Sequence, residues 1–182
     1  KDQLRLRFKR SLYVGSFYKG KQDRLIELKS LLKDEFDIFG RFPYAGLPFS
    51  GHLLKSNGQF YKVKPLTNEE RKNNYFSYQV GINMHLSSPS LETGNARLYE
   101  LPFHGLAQLV DSSQYSGVNQ IYKEGREILT YRTIKECVEL TKMLFADIEM
   151  RTEIAFNGYK KTIQNYTLKK SILELILALK KI

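Results

Sequence analysis

Ser11-Leu12-Tyr13-Val14-Gly15-Ser16 opens the part of the chain that decides the fold, and Phe36-Asp37-Ile38-Phe39-Gly40 closes it. Each is a short apolar run ending in glycine or Gly-Ser, the pattern of a buried strand entering a turn. Between them, residues 22–33 follow helical spacing, with Leu25, Leu28, Leu31 and Leu32 on one face and Arg24, Glu27 and Lys33 elsewhere. Strand, helix and strand in so short a stretch predict two parallel strands joined by a crossover helix.

Upstream, Leu4 to Lys9 alternates apolar and basic residues, which suggests a short strand or extended linker with one basic face. Downstream, residues 41–60 are rich in glycine and proline and read as loop with at most one short helix. Tyr61 to Pro65 reads as a third strand, stopped by Pro65. Thr67 stands three residues before Glu70, a capping-box spacing that predicts a helix over 68–78. Val80 to Leu86 is the clearest strand, followed by a polar loop over Ser87–Thr93. A helix over 95–104 stops at Gly105, and strands follow over 107–110 and 127–131. Three helices, 133–146, 147–164 and 167–181, complete the chain. The predicted fold is α/β, a Rossmann-like open, mostly parallel sheet flanked by helices. One domain covers residues 1–182, with 1–10 as linker or extension and 166–182 as a terminal helix. The last helix puts Leu168, Ile172, Leu175, Ile176, Leu179 and Ile182 on one stripe, expected to pack against its own domain.

A chain of 182 residues with 42% hydrophobic content suits one globular domain. Its single cysteine, Cys137, excludes an internal disulfide and is compatible with a reducing, cytoplasmic setting. The first residue is Lys1, so the chain is expected to be a piece of something longer. The formal charge is +10, concentrated as net +7 over residues 1–33 and net +5 over residues 157–182. Most of these lysines and arginines read as solvated surface.

The chemistry concentrates in Ser87 to Gly105, just after the clearest strand. In an open α/β sheet, ligands bind outside the carboxyl ends of the strands. Gly94 at a helix entry allows close backbone approach, and a helix start suits a phosphate. Glu92 and Glu100 supply carboxylates, which accept from vicinal hydroxyls such as those of sugars and riboses.

Glu92-(seven residues)-Glu100 resembles the E-x7-E motif of retaining GT-B glycosyltransferases, and Glu100-Leu101-Pro102-Phe103-His104-Gly105 resembles the family's stretch from that motif's second glutamate onward. Asn95-Ala96-Arg97-Leu98-Tyr99-Glu100 is similar to the branch named after the spore-maturation protein CgeB. Tyr13-Val14-Gly15-Ser16 with Arg24, and Arg151 to Gly158, resemble that branch's first strand and a late segment. The departures are Thr93-Gly94-Asn95 for a usual Gly-Phe-Gly, and Ala107-Gln108 for a usual proline. The resemblance covers the C-terminal, donor-binding half of a GT-B fold. It implies that Glu100 binds the nucleotide ribose and that Glu92 contacts the donor sugar in the catalytic role. The backbone at Thr93, Gly94, Asn95 and Ala96 would face sugar and diphosphate, Gly15, Ser16 and Arg24 would line the phosphate side, and Lys64 and Pro65 would lie near the base. Arg97 is either an ion-pair partner of Glu100 or a ligand contact.

The implied activity is transfer of a glycosyl group from a UDP-, GDP- or ADP-sugar with retention, without a metal or other cofactor. The implied partner is a missing N-terminal GT-B domain, and a chain this partial is expected to be inactive alone. A GT-B nucleotide-sugar epimerase and a non-enzymatic basic binding module are the alternatives. Nucleic acid is not expected, because basic and aromatic residues do not interleave on one strand face. The two basic ends allow peripheral contact with the inner face of a membrane. The histidines share no metal-ligand spacing; His85 reads as a core or loop residue and His104 as a helix cap.

Overall fold

The computed structural model describes residues 7–17, 20–41, 52–56, 59–85, 95–112 and 117–179. Its strands are β1 (Phe8–Ser16), β2 (Phe36–Arg41), β3 (His52–Ser56), β4 (Gln59–Val63), β5 (Tyr78–Asn83), β6 (Ala107–Asp111) and β7 (Leu129–Tyr131). Its helices are α1 (Lys21–Leu32), α2 (Asn68–Ser77), α3 (Arg97–Phe103), α4 (Val118–Ile121), α5 (Ile134–Ala146), α6 (Ile148–Asn165) and α7 (Leu168–Leu179). Five strands pair in parallel in the order β2-β1-β5-β6-β7, the open α/β sheet that the opening β-α-β implied.

Alternation along the strands builds apolar clusters on both faces of the sheet. Leu12 packs with Tyr75, Leu101 and Leu106 beneath α2 and α3. Its neighbour Tyr13 packs with Leu25, Leu28, Val80, Ile82 and Cys137 beneath α1 and α5. Successive strand side chains point to opposite faces, so one strand feeds both layers. All six residues of β5 are buried, Gln79 and Asn83 among them, as a central parallel strand covered on both faces requires. On α1, Leu25, Ile26, Leu28 and Leu32 are buried while Leu31 is exposed. At 100° per residue Leu31 falls outside the arc spanned by the other four, so it does not belong to the expected face.

The helix starts follow their side chains. Thr67 Oγ1 accepts the Glu70 N–H at 3.2 Å, and the Glu70 carboxylate accepts the Thr67 N–H at 2.9 Å, the expected capping box. Thr133 and Asp147 cap α5 and α6 one way only, their side-chain oxygens accepting the N–H of Glu136 and of Met150. Arg7 ties the opposite end of the sheet together, donating to the carbonyls of Tyr75, Tyr78, His104 and Gly105. Burial depresses its pKa to about 10.

Two expectations are corrected. Residues 52–56, 59 and 60 are not loop: β3 and β4 pair antiparallel, with His52 opposite Val63 and Ser56 opposite Gln59, and the strand expected from Tyr61 is the latter part of β4, which ends at Val63. The Asn57-Gly58 between them is the dipeptide that favours two-residue hairpins, a signal hidden by the glycines and prolines before it. The other correction concerns α7, which does not pack on its own domain. None of its described residues is buried, and Leu168, Ile172, Leu175, Ile176 and Leu179 are all exposed. Both sheet faces are already covered by other helices, which leaves this stripe no surface to bury against. Among the described residues, no helix is long and apolar enough to cross a membrane.

Candidate functional site

The chain runs outward from β1 to β2 and then returns to β1's other side as β5, so the strand order reverses at β1. Such a switch point opens a crevice at the carboxyl ends of the strands. A cleft of about 410 Å³ lies there. Val14, Gly15 and Ser16 of β1 and Gly40 and Arg41 of β2 form one side. Pro65, Arg71 and Tyr75 come from the segment before α2 and from α2 itself, and Ala96, Arg97 and Glu100 come from the start of α3.

Two glycines allow this closeness. Gly15 and Gly40 are paired in register, and a Cβ on Gly40 would collide with the Gly15 carbonyl oxygen. A Cβ on Gly15 would lie 2.5 Å from Arg97 Nη1 and 2.7 Å from the Tyr13 hydroxyl. The Gly40 N–H donates to the Lys64 carbonyl at 2.9 Å, which draws the end of β4 and Pro65 against the cleft.

Arg97 is held by its surroundings. Its guanidinium stands 5.3 Å from the centroid of the buried Tyr13 ring, and Nε donates to Asn83 Oδ1 at 3.3 Å. Asn83 is fully buried, and its Oδ1 also accepts from the Asn95 amide at 2.9 Å. No described carboxylate lies within ion-pair distance of Arg97, so the ion pair with Glu100, one of its two readings, does not form. Glu100 instead meets α2: the Tyr75 hydroxyl donates to Oε2 at 3.3 Å, and Arg71 Nη1 lies 3.8 Å from Oε1. Burial, then the Glu100 charge, raises the Tyr75 pKa, so the phenol stays a donor. The lining residues include three arginines and one glutamate, which makes the cleft attractive to anions.

Of the residues singled out in the sequence, Gly15, Ser16, Pro65, Ala96, Arg97 and Glu100 meet in this cleft. Asn95 stands behind it, against Asn83. Glu92, Thr93 and Gly94 lie outside the described residues. Two residues are placed elsewhere. Arg24 pairs with the wholly buried carboxylate of Asp111 at 2.7 Å, because a charge so deeply buried requires a cation. Lys64 turns to Glu70 at 3.0 Å, adding its charge to the capping box. His85 is a core residue whose Nδ1 meets the Asp111 carbonyl at 3.1 Å. His104 caps α3, with Nδ1 bonded to the Glu100 carbonyl at 2.8 Å. Arg151, in the late segment of the sequence resemblance, is buried and donates to the Leu144 carbonyl, joining α5 to α6.

Sequence reasoning missed Arg71 and Tyr75. Their helix was expected, but nothing in local spacing shows that α2 reaches the carboxyl end of β1. A second depression, of about 340 Å³, lies at the ends of β6 and β7 around Ser112, Arg132, Glu124 and Glu136, and holds none of the expected site residues.

A five-stranded parallel sheet flanked by helices, with a crevice at its strand switch, defines a Rossmann-like domain of the kind that forms the C-terminal half of GT-B glycosyltransferases. Residues 22–176 match the glycosyl transferase-like family, and the chain belongs to it. The fold is similar to the C-terminal domain of the group 1 glycosyl transferase LpcC from Francisella tularensis, with a TM-score of 0.61 and 17% identity over 92% of both chains. It is similar to TarM, with a TM-score of 0.66 and 14% identity over 95% of this chain. It is also similar to the S. aureus TarM G117R mutant in complex with Fondaparinux, alpha-GlcNAc-glycerol and UDP, with a TM-score of 0.65, 15% identity and 95% of this chain covered. The chain spans 35% of the first TarM structure and 36% of the second. Among curated proteins, none matches the sequence.

Proposed function

We propose that the cleft between β1, α2 and α3 holds the nucleoside diphosphate of an activated sugar, and that the chain is the donor-binding half of a retaining GT-B glycosyltransferase. The observation that carries this reading is the meeting of Glu100, Arg97 and the close-approach glycine Gly15 in one cleft at the strand switch. Membership of the glycosyl transferase-like family supports it. So does the likeness to TarM, one structure of which contains UDP.

In this reading the Glu100 carboxylate accepts from the ribose hydroxyls, as a carboxylate beside a diol does. Arg97 and Arg41 face the diphosphate, with Gly15 and Ser16 beneath it, and Pro65 lies toward the base. Glu92 contacts the donor sugar, as the E-x7-E resemblance to retaining GT-B glycosyltransferases implies, and Asn95 to Glu100 resembles the CgeB-like branch. As the bond from the sugar's anomeric carbon to the diphosphate breaks, the arginines stabilise the charge on the leaving group, without a bound metal. The acceptor hydroxyl, which bonds to that carbon and passes its proton to the departing diphosphate oxygen, is brought by a second GT-B domain. The open apolar face of α7 suits a contact with that domain. The chain alone then binds donor weakly and turns nothing over, and detectable transfer by it would refute that part.

The test is ligand-observed NMR with UDP-, GDP-, ADP- and dTDP-sugars on the wild type and on Glu100→Ala. Saturation transfer to one nucleotide class, lost in the variant, is expected. A folded wild type that binds no member of the panel overturns the donor-site reading.

A further inference from the structure

We infer that Tyr75 and Arg71 are positioning residues that fix the Glu100 carboxylate for a ribose diol, so that this cleft selects ribonucleoside over 2′-deoxyribonucleoside diphosphates. The inference rests on the donor-site reading and adds to it a pair of residues on α2.

The geometry assigns one α2 residue to each carboxylate oxygen. The Tyr75 hydroxyl takes Oε2 at 3.3 Å and Arg71 Nη1 faces Oε1 at 3.8 Å. A carboxylate has about four acceptor positions, so each oxygen keeps lone pairs for a ligand. Glu100 lines the cleft, and its side chain is 31% exposed, which leaves those positions open to it. The two α2 residues differ in their anchoring. Tyr75 is 1% exposed, part of the Leu12–Leu101–Leu106 cluster, with its ring centroid 5.0 Å from that of His104. His104 in turn bonds the Glu100 carbonyl, so the backbone and side chain of Glu100 are both tied to one packed unit. Arg71 is the outer member, half-exposed at the rim.

Two vicinal hydroxyls demand an acceptor in one orientation. A glutamate free to rotate accepts from one hydroxyl as readily as from two, whereas a fixed one rewards the diol and leaves an unmet acceptor beside a deoxyribose. Holding Glu100 at both oxygens is therefore what converts a carboxylate in a cleft into a ribose selector. Tyr75 and Arg71 touch no reacting atom in this scheme; they act through Glu100.

The experiment measures the affinity of the protein for UDP, GDP and ADP and for their 2′-deoxy counterparts by calorimetry, in the wild type, Glu100→Ala, Tyr75→Phe and Arg71→Gln. The readout is the ratio of ribo to deoxyribo affinity, which loss of packing alone does not move. The wild type is expected to prefer the ribonucleotide by about tenfold or more, and Glu100→Ala to abolish the preference. Tyr75→Phe, which keeps the ring and removes one hydrogen bond, is expected to cut the ratio about three- to tenfold, with Arg71→Gln in the same direction. Competition by inorganic pyrophosphate is expected to be unchanged in Tyr75→Phe. A preference lost in Glu100→Ala but intact in both α2 variants overturns this inference and keeps the donor site. A wild type without binding or preference, or a preference that survives Glu100→Ala, overturns the assignment of Glu100 to the ribose and this inference with it.

Discussion

Replacing Arg24 with methionine separates two roles that one residue cannot hold together. The sequence resemblance places Arg24 on the phosphate side of the site, whereas the structure pairs it with Asp111 at 2.7 Å. The Asp111 side chain is 0% exposed and that of Arg24 is 22% exposed. Removing the cation leaves a carboxylate buried near the phenol of Tyr131 and the thiol of Cys137. Burial pushes the pKa of both groups up, and the Asp111 charge pushes them further. Breaking a buried pair from one side costs about 3–5 kcal/mol. Partial access of water to Arg24 places this case at the lower end, about 3 kcal/mol, or about 6–12 °C in melting temperature for a domain of this size. Urea denaturation followed by circular dichroism measures the loss, and donor titration of the folded variant measures binding. Adding Asp111→Asn removes the stranded charge, so the double variant is expected to be more stable than Arg24→Met, with a coupling energy of about 2 kcal/mol. An Arg24→Met protein that denatures at the wild-type midpoint yet loses donor binding would refute the structural role and restore the phosphate one.

Two further predictions concern the floor of the site and the end of α3. Gly15→Ala places a methyl group 2.5 Å from Arg97 Nη1 and 2.7 Å from the Tyr13 hydroxyl. We expect a stability loss of about 1–3 kcal/mol by thermal melt and weaker nucleoside diphosphate binding by calorimetry; unchanged affinity would separate Arg97 from the phosphates. His104 has its pKa lowered, chiefly by burial, so the folded state favours the neutral ring. The unfolded chain takes up that proton first, at about pH 6.5, so the His104 contribution to stability is lost as pH falls from there toward the folded value. An NMR titration is expected to give a midpoint below about 6.5, and His104→Gln is expected to flatten the stability profile over that window.

The fold was legible wherever a single element carries its own period. The run from Val80 was expected to be a strand and is the core of β5, which begins two residues earlier at Tyr78, and Thr67 with Glu70 marks the start of α2 without reference to anything distant. What local pattern does not carry is the destination of an element. The α7 stripe has the spacing of a packed helix, and the same leucines are exposed because both sheet faces are already taken. Arg24 has the look of a site arginine, and its real partner, Asp111, is 87 residues away in the chain.

The site divides along the same line. Gly15, Ser16, Arg97 and Glu100, singled out in the sequence, meet in one cleft because the carboxyl ends of strands and the start of the following helix converge at the strand switch of an α/β sheet. The places of Arg71 and Tyr75 were not legible, because they depend on topology: β2 lies on one side of β1 and β5 on the other, and α2, which enters β5, brings Arg71 and Tyr75 to the cleft at the switch. The reversal that opens the crevice therefore also supplies its second wall. The residue types on α2, here a tyrosine sunk in the core and an arginine at the rim, decide how tightly the carboxylate opposite them is held.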